Sequence, residues 1–103
     1  MSSMKIVGVT ACTAGIAHTY MAQSALEKAA KNNGYQIKIE TQGAMGAENE
    51  LTDDEIADAD VVILGIDVSI EGRERFDGKK VYETSVSSCV AEPHKVIENA
   101  INS

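Results

Sequence analysis

Residues 5–11, KIVGVTA, form a short apolar, β-branched run, the pattern of a buried strand. From 17 to 33 the period changes. Ala22, Ala25, Leu26 and Ala29 recur at helical spacing, while Gln23, Glu27, Lys28 and Lys31 take the other face. Asn32-Asn33-Gly34 is a helix stop. Residues 35–41, YQIKIET, alternate, with Tyr35, Ile37 and Ile39 on one face and Gln36, Lys38 and Glu40 on the other. That predicts a half-exposed edge strand. QGAMGAENE then reads as a loop with two glycines.

Thr52 and Glu55 form a capping box for a short helix running to about Asp58. VVILGI, 61–66, is a continuous apolar run and predicts a central strand covered on both faces. SIEGRERF, 69–76, predicts one or two helical turns weakened by Gly72. KKVYE, 79–83, predicts a fourth short strand, and Pro93 opens a last helix whose inner face carries Val96, Ile97, Ala100 and Ile101.

Strand and helix alternate throughout. That predicts an α/β fold, an open four-stranded parallel sheet with helices on both faces and right-handed crossovers. The first and third strands are the most apolar and should be central, which gives the order 2-1-3-4. The switch point of such a sheet lies between strands 1 and 3, at their C-terminal ends, where ligands bind.

The chain has 103 residues, enough for one domain, 1–103, and too few for two. A net charge of −7 argues against nucleic acid as a partner, because phosphate backbones need a basic surface. No segment reads as a signal peptide, and no apolar run approaches the ~20 residues that span a bilayer. The expectation is a cytoplasmic domain without direct membrane insertion. The two cysteines, Cys12 and Cys89, are far apart in sequence and expected to be reduced, and there is no CxxC motif. No metal or cofactor is expected.

Cys12 stands where the first strand ends and the first helix begins, at the switch point. The loop Thr13, Ala14, Gly15, Ile16, Ala17, His18 and Thr19 joins the two elements. Amides of such a loop converge on an anion, and the helix N-terminus adds positive potential. The same field stabilises a thiolate; cysteines at helix starts have pKa values of roughly 3.5–7.5 in place of about 8.5. Cys12 is thus placed as a nucleophile whose own loop can hold a phosphoryl dianion. The plainer reading makes Cys12 a small buried hydrophobe, Thr19 a helix-backbone partner and His18 a solvated first-turn residue.

Protein tyrosine phosphatases provide a contrast. They use cysteine, five residues, then an arginine that binds the phosphoryl group bidentately. Here His18 stands at that position, the loop has no arginine, and the chain has no Asp-Pro pair for a general acid. Three readings follow: a phosphocysteine carrier in a relay, a low-molecular-weight phosphatase-like cysteine hydrolase, and a non-catalytic phosphate-binding module. The missing arginine counts against the second, and a thiol at the pocket floor counts against the third.

The loop CTAGIAHT (12–19), with KIETQG (38–43), GAENELT (46–52) and ERFDGK (74–79), resembles the enzyme IIB component, fructose-specific class, of the phosphoenolpyruvate-dependent sugar phosphotransferase system. The resemblance runs from about residue 4 to residue 101. The family's loop has a proline where Thr13 stands and a threonine where Ala14 stands, so altered loop flexibility is expected; Cys12, Gly15, His18 and Thr19 are kept. The resemblance implies a phosphotransferase. Cys12 would accept a phosphoryl group from phosphohistidine of enzyme IIA and pass it to a sugar, fructose or fructose-like, bound by membrane enzyme IIC. It also implies association with the membrane through enzyme IIC. Residues 13–19 would bind the phosphoryl group; for His18 a charge-assisted contact and a hydrogen bond that shapes the loop are both open. Tyr20, Thr41, Gln42 and Gly43 are candidate partner contacts. Asp67, at the end of the third strand, would repel a phosphoryl group unless it orients an amide or an arginine, with Arg73 and Arg75 as candidates to offset it. Cys89 reads as a packed cysteine.

Overall fold

A strand that hydrogen-bonds on both edges and is covered on both faces must be apolar throughout, and Ile6–Ala11 is buried along its whole length. In the computed structural model, which describes residues 4–12, 16–43 and 46–102, this is strand β1, Lys5–Ala11. It is followed by α1 (Ile16–Asn32), β2 (Gln36–Gly43), β3 (Gly46–Glu48), α2 (Asp53–Asp58), β4 (Val61–Ile66), a 3-10 turn (Arg73–Phe76), β5 (Val81–Thr84), α3 (Val86–Ala91) and α4 (Pro93–Asn102).

The sheet has five strands in the order β3-β2-β1-β4-β5 and is mixed. This corrects the expected four-stranded, all-parallel sheet. The parallel strands β2-β1-β4-β5 follow the anticipated succession, with Val7 opposite Lys38 on one side and Val62 on the other. The addition is β3, which runs antiparallel to β2 with Thr41 opposite Glu48 and Gln42 opposite Ala47. Three exposed residues carry no alternating pattern, so only backbone pairing to a neighbouring edge makes them a strand. Asn49 extends the cover by donating from its side chain to the Ile39 carbonyl at 2.9 Å. The second strand is therefore capped at its C-terminal end, where an open edge was expected.

Alternating side chains divide the core. Ile6, Ile39, Val61 and Ile63 face α1, α3 and α4, against Ala22, Leu26, Val86, Cys89, Val96 and Ile97. Val7, Val9, Ala11, Val62, Leu64 and Ile66 face the thinner layer of α2 and the 3-10 turn, against Ile56 and Phe76. Helix α3 was not foreseen. Its six residues are too few for a periodic stripe, and its serines and valines favour helix weakly. It forms because Ser85 caps it, accepting from Ser88 N–H at 3.1 Å, and because Val86 and Cys89 are fully buried one turn apart.

Helix α3 reaches the sheet through a missing side chain. A Cβ on Gly65 would lie 2.5 Å from Cys89 Sγ, so the thiol occupies the space a larger residue would fill. Burial pushes the Cys89 thiol up to about 11, with the charge of Asp67 adding to the shift, so it stays protonated as a packing group.

The other face holds a buried charge. Glu40, expected on the polar face of an edge strand, is 1% exposed. Its carboxylate accepts from Arg75 at 2.9 and 3.1 Å, from Gln42 Nε2 at 2.7 Å and from Leu51 N–H at 3.0 Å. Arg75 in turn donates to the Gly72 carbonyl at 2.7 Å, where Gly72 adopts a φ of 72° that starts the 3-10 turn. Gln42 holds the same segment from the sheet, exchanging bonds with Glu71 N–H at 2.8 Å and Glu71 C=O at 3.0 Å. Burial opposes ionisation of Glu40, but the bonds from Arg75, Gln42 and Leu51 outweigh it and hold its carboxyl below the ordinary carboxylate value.

Two stability tests follow. Gly65→Ala should destabilise the fold by about 1–3 kcal/mol in urea unfolding, and Cys89→Ala in the same chain should restore part of the loss by emptying the contested space. Glu40→Gln should destabilise the protein by about 2–4 kcal/mol at pH 7, because it leaves a guanidinium half-desolvated. A carboxylate with a lowered folded pKa contributes stability above its unfolded pKa and loses it as pH falls through the folded value. The wild type should therefore lose stability on acidification below the ordinary carboxylate range more steeply than the variant.

Candidate functional site

β1 ends at Ala11, opposite Gln42 of β2 and Ile66, the last residue of β4. Cys12 is the first residue beyond, half-buried and packed against the core on the α1 side. The site thus lies at the carboxyl ends of β1 and β4, where the chain leaves β1 towards α1, covering one face of the sheet, and β4 towards the 3-10 turn on the other face.

Helix α1 begins at Ile16 and is tied to β1 by a buried bond, Thr10 Oγ1–H donating to the Thr19 carbonyl at 3.4 Å. This sets the rotation of the first turn. Thr19, 2% exposed, points inward, and its Oγ1 lies 3.5 Å from Cys12 Sγ. His18 is half-buried, with Nδ1 3.9 Å from the same sulfur. A thiol here has a hydroxyl and an imidazole nitrogen within reach; a thiolate or a group built on the sulfur would accept from both. Neither Cys12 nor Cys89 is in a disulfide.

The other candidates divide. Ala17 and Tyr20 are exposed, and Tyr20 O–H donates to Glu48 of β3, across the top of β2. Thr41 is 2% exposed, and Gln42 is engaged with Glu40 and Glu71, so these two side chains act inside the protein. Gly43 is exposed and pairs with Gly46. Ile16 begins the helix; Thr13, Ala14 and Gly15 lie outside the described residues.

Asp67 answers one expectation directly. Its carboxylate accepts from Val86 N–H at 3.2 Å, so it orients an amide at the start of α3. Neither candidate arginine is turned to it: Arg73 pairs with Glu83 at 2.5 Å and Arg75 with Glu40. The network of Glu40, Gln42 and Arg75 escaped sequence reading. Its only signal was a charged residue next to Ile39, at a polar position of an ordinary alternation, which solvent exposure explains equally well.

Among the described residues no helix is long and apolar enough to cross a membrane. Residues 7–99 match the family described as "PTS system, Lactose/Cellobiose specific IIB subunit". The chain is 54% identical over 86 residues to the "PTS system fructose-like EIIB component 2" of Escherichia coli K12, covering 84% of this chain and 81% of that protein. It is 47% identical over 100 residues to the "PTS system fructose-specific EIIB'BC component" of Vibrio cholerae, where the match spans 97% of this chain but 17% of the relative. Among solved structures, a domain of the fructose-specific IIABC component from Borrelia burgdorferi superposes with a TM-score of 0.93 at 45% identity, covering 99% of this chain and 97% of that one. The enzyme IIB subunit of the system from Escherichia coli K12 superposes with a TM-score of 0.89 at 42% identity, covering 95% and 91%. With fold and sequence in agreement over nearly the whole length, the chain belongs to the enzyme IIB family of the phosphoenolpyruvate-dependent sugar phosphotransferase system, in its fructose-type class.

Proposed function

We propose that Cys12 carries the phosphoryl group, receiving it from phosphohistidine of enzyme IIA and delivering it to fructose or a fructose-like sugar bound by membrane enzyme IIC. The observation that supports this most is the position of Cys12 Sγ, at the end of the central strand, 3.5 Å from Thr19 Oγ1 and 3.9 Å from His18 Nδ1.

Both transfers are in-line displacements, in which positioning and charge stabilisation do most of the work. In the first, the thiolate attacks phosphorus, the S–P bond forms and the N–P bond to the donor histidine breaks. In the second, a sugar hydroxyl attacks, the O–P bond forms and the thiolate leaves. Backbone amides of residues 13–19 hold the equatorial oxygens, Gly15 allows close backbone approach, and Thr19 adds a hydroxyl. Nδ1 of His18 supplies a charge-assisted hydrogen bond to the sulfur or to a phosphoryl oxygen.

The competing hydrolase reading needs an arginine to clamp the phosphoryl group. Residues 13–19 contain none, and Arg73 and Arg75 are both committed to glutamates. A slow-hydrolysing thiophosphate is what a carrier requires.

Intact-protein mass after incubation with phosphoenolpyruvate, the general phosphotransferase proteins and a matching enzyme IIA tests the reading. One added phosphoryl group, absent from Cys12→Ser and discharged by enzyme IIC with sugar, is expected. No added mass with a working donor, together with turnover of an aryl phosphate, would establish the hydrolase instead. His18→Ala should slow phosphoryl acceptance by ~10- to 100-fold; an unchanged rate would confine His18 to shaping the loop.

A further inference from the structure

Resting on the carrier reading of Cys12, a second residue acquires a role in discharge. Asp67 is the first residue beyond β4, and its N–H donates to the Ala11 carbonyl at 2.9 Å. It therefore stands beside Cys12 across the crevice between β1 and β4. Val86 N–H, donating to its Oδ1, restrains the carboxylate there; a single neutral donor on the α3 side leaves its charge, and its repulsion of an anion, in place.

The carboxylate is held by Val86 on the face of the sheet that α3 covers, the face against which Cys12 also packs. Asp67 contributes to raising the thiol of Cys89, second to burial. Cys89 packs over Gly65, which is opposite Thr10, two residues before Cys12 on the same face. Arg73 shares a shallow cleft with Asp67, yet its guanidinium pairs with Glu83, and Arg75 is bound to Glu40. A fixed negative charge thus borders the place where a phosphoryl dianion would be built, with both arginines of this region directed elsewhere.

We propose that Asp67 is an electrostatic positioning residue for discharge: its anchored carboxylate repels the phosphoryl group carried on Cys12 and raises that group's transfer potential. A loop of amides that bound the dianion unopposed would retain it. The nearby carboxylate destabilises the phosphorylated state relative to the free thiolate. When the sugar hydroxyl attacks, the O–P bond forms, the S–P bond breaks with its electron pair on sulfur, the hydroxyl proton passes to water, and the repulsion is relieved.

The test is an equilibrium, not a rate. Purified phosphorylated enzyme IIA is mixed with wild type, Asp67→Asn, Asp67→Ser or Asp67→Glu, and the phosphoryl distribution between histidine and Cys12 is read by intact mass. Asparagine and serine keep an acceptor for Val86 N–H and remove the charge, and thermal melting reports which variants are folded. The phosphocysteine-to-phosphohistidine ratio should rise on the order of tenfold in the two neutral variants and stay near wild type with glutamate. An unchanged or lower ratio in whichever neutral variant is folded overturns the role of Asp67, because a purely structural role would leave the ratio alone or impair acceptance. Failure of wild type to take phosphate on Cys12 would remove the carrier reading and this inference with it.

Discussion

β1 imposes the constraint from which the site follows. It pairs with β2 on one edge and β4 on the other, and its residues from Ile6 to Ala11 are buried against helices on both faces. A strand so enclosed can release its chain only at its end. There the chain turns into α1, which must cover the sheet it has just left. Cys12 occupies that exit. The bond from Thr10 to the Thr19 carbonyl then sets the helix against the strand, and with it the reach of Thr19 and His18 to the sulfur. Packing and site geometry are consequences of the same junction.

The two faces of the sheet solve burial differently. The α1 side is apolar and close-packed, tight enough that Gly65 is needed to seat Cys89. The other side carries the thinner layer of α2 and the 3-10 turn, and over the end of β2 it holds Glu40 and Gln42. A buried carboxylate is tolerated there because four hydrogen bonds reach it, two from one guanidinium. The arrangement anchors the segment after β4 to the end of β2.

Arginine usage separates this protein from a cysteine phosphatase in physical terms. An arginine placed over the sulfur would hold the phosphoryl group and stabilise a hydrolytic transition state. Here Arg75 serves the fold and Arg73 a surface pair with Glu83. The charged residue that follows β4, beside the end of β1, is instead Asp67, its carboxylate held by an amide of α3. That arrangement fits the carrier role proposed for Cys12.

From the sequence alone came the succession of parallel strands, the long first helix, the capped second helix and Cys12 at the switch point. Each rests on a local regularity: a buried apolar run, a helical stripe, a capping box, a strand-to-helix boundary. The resemblance of the loop and the KIETQG block carried the family. Tertiary structure alone decided β3, α3 and the burial of Glu40. The first two are three and six residues long, too short for a period, and exist because a strand edge and the space above Gly65 accept them. Whether an alternating glutamate faces water or an arginine 35 residues away depends on what folds over it, and nothing in its neighbours' sequence records that.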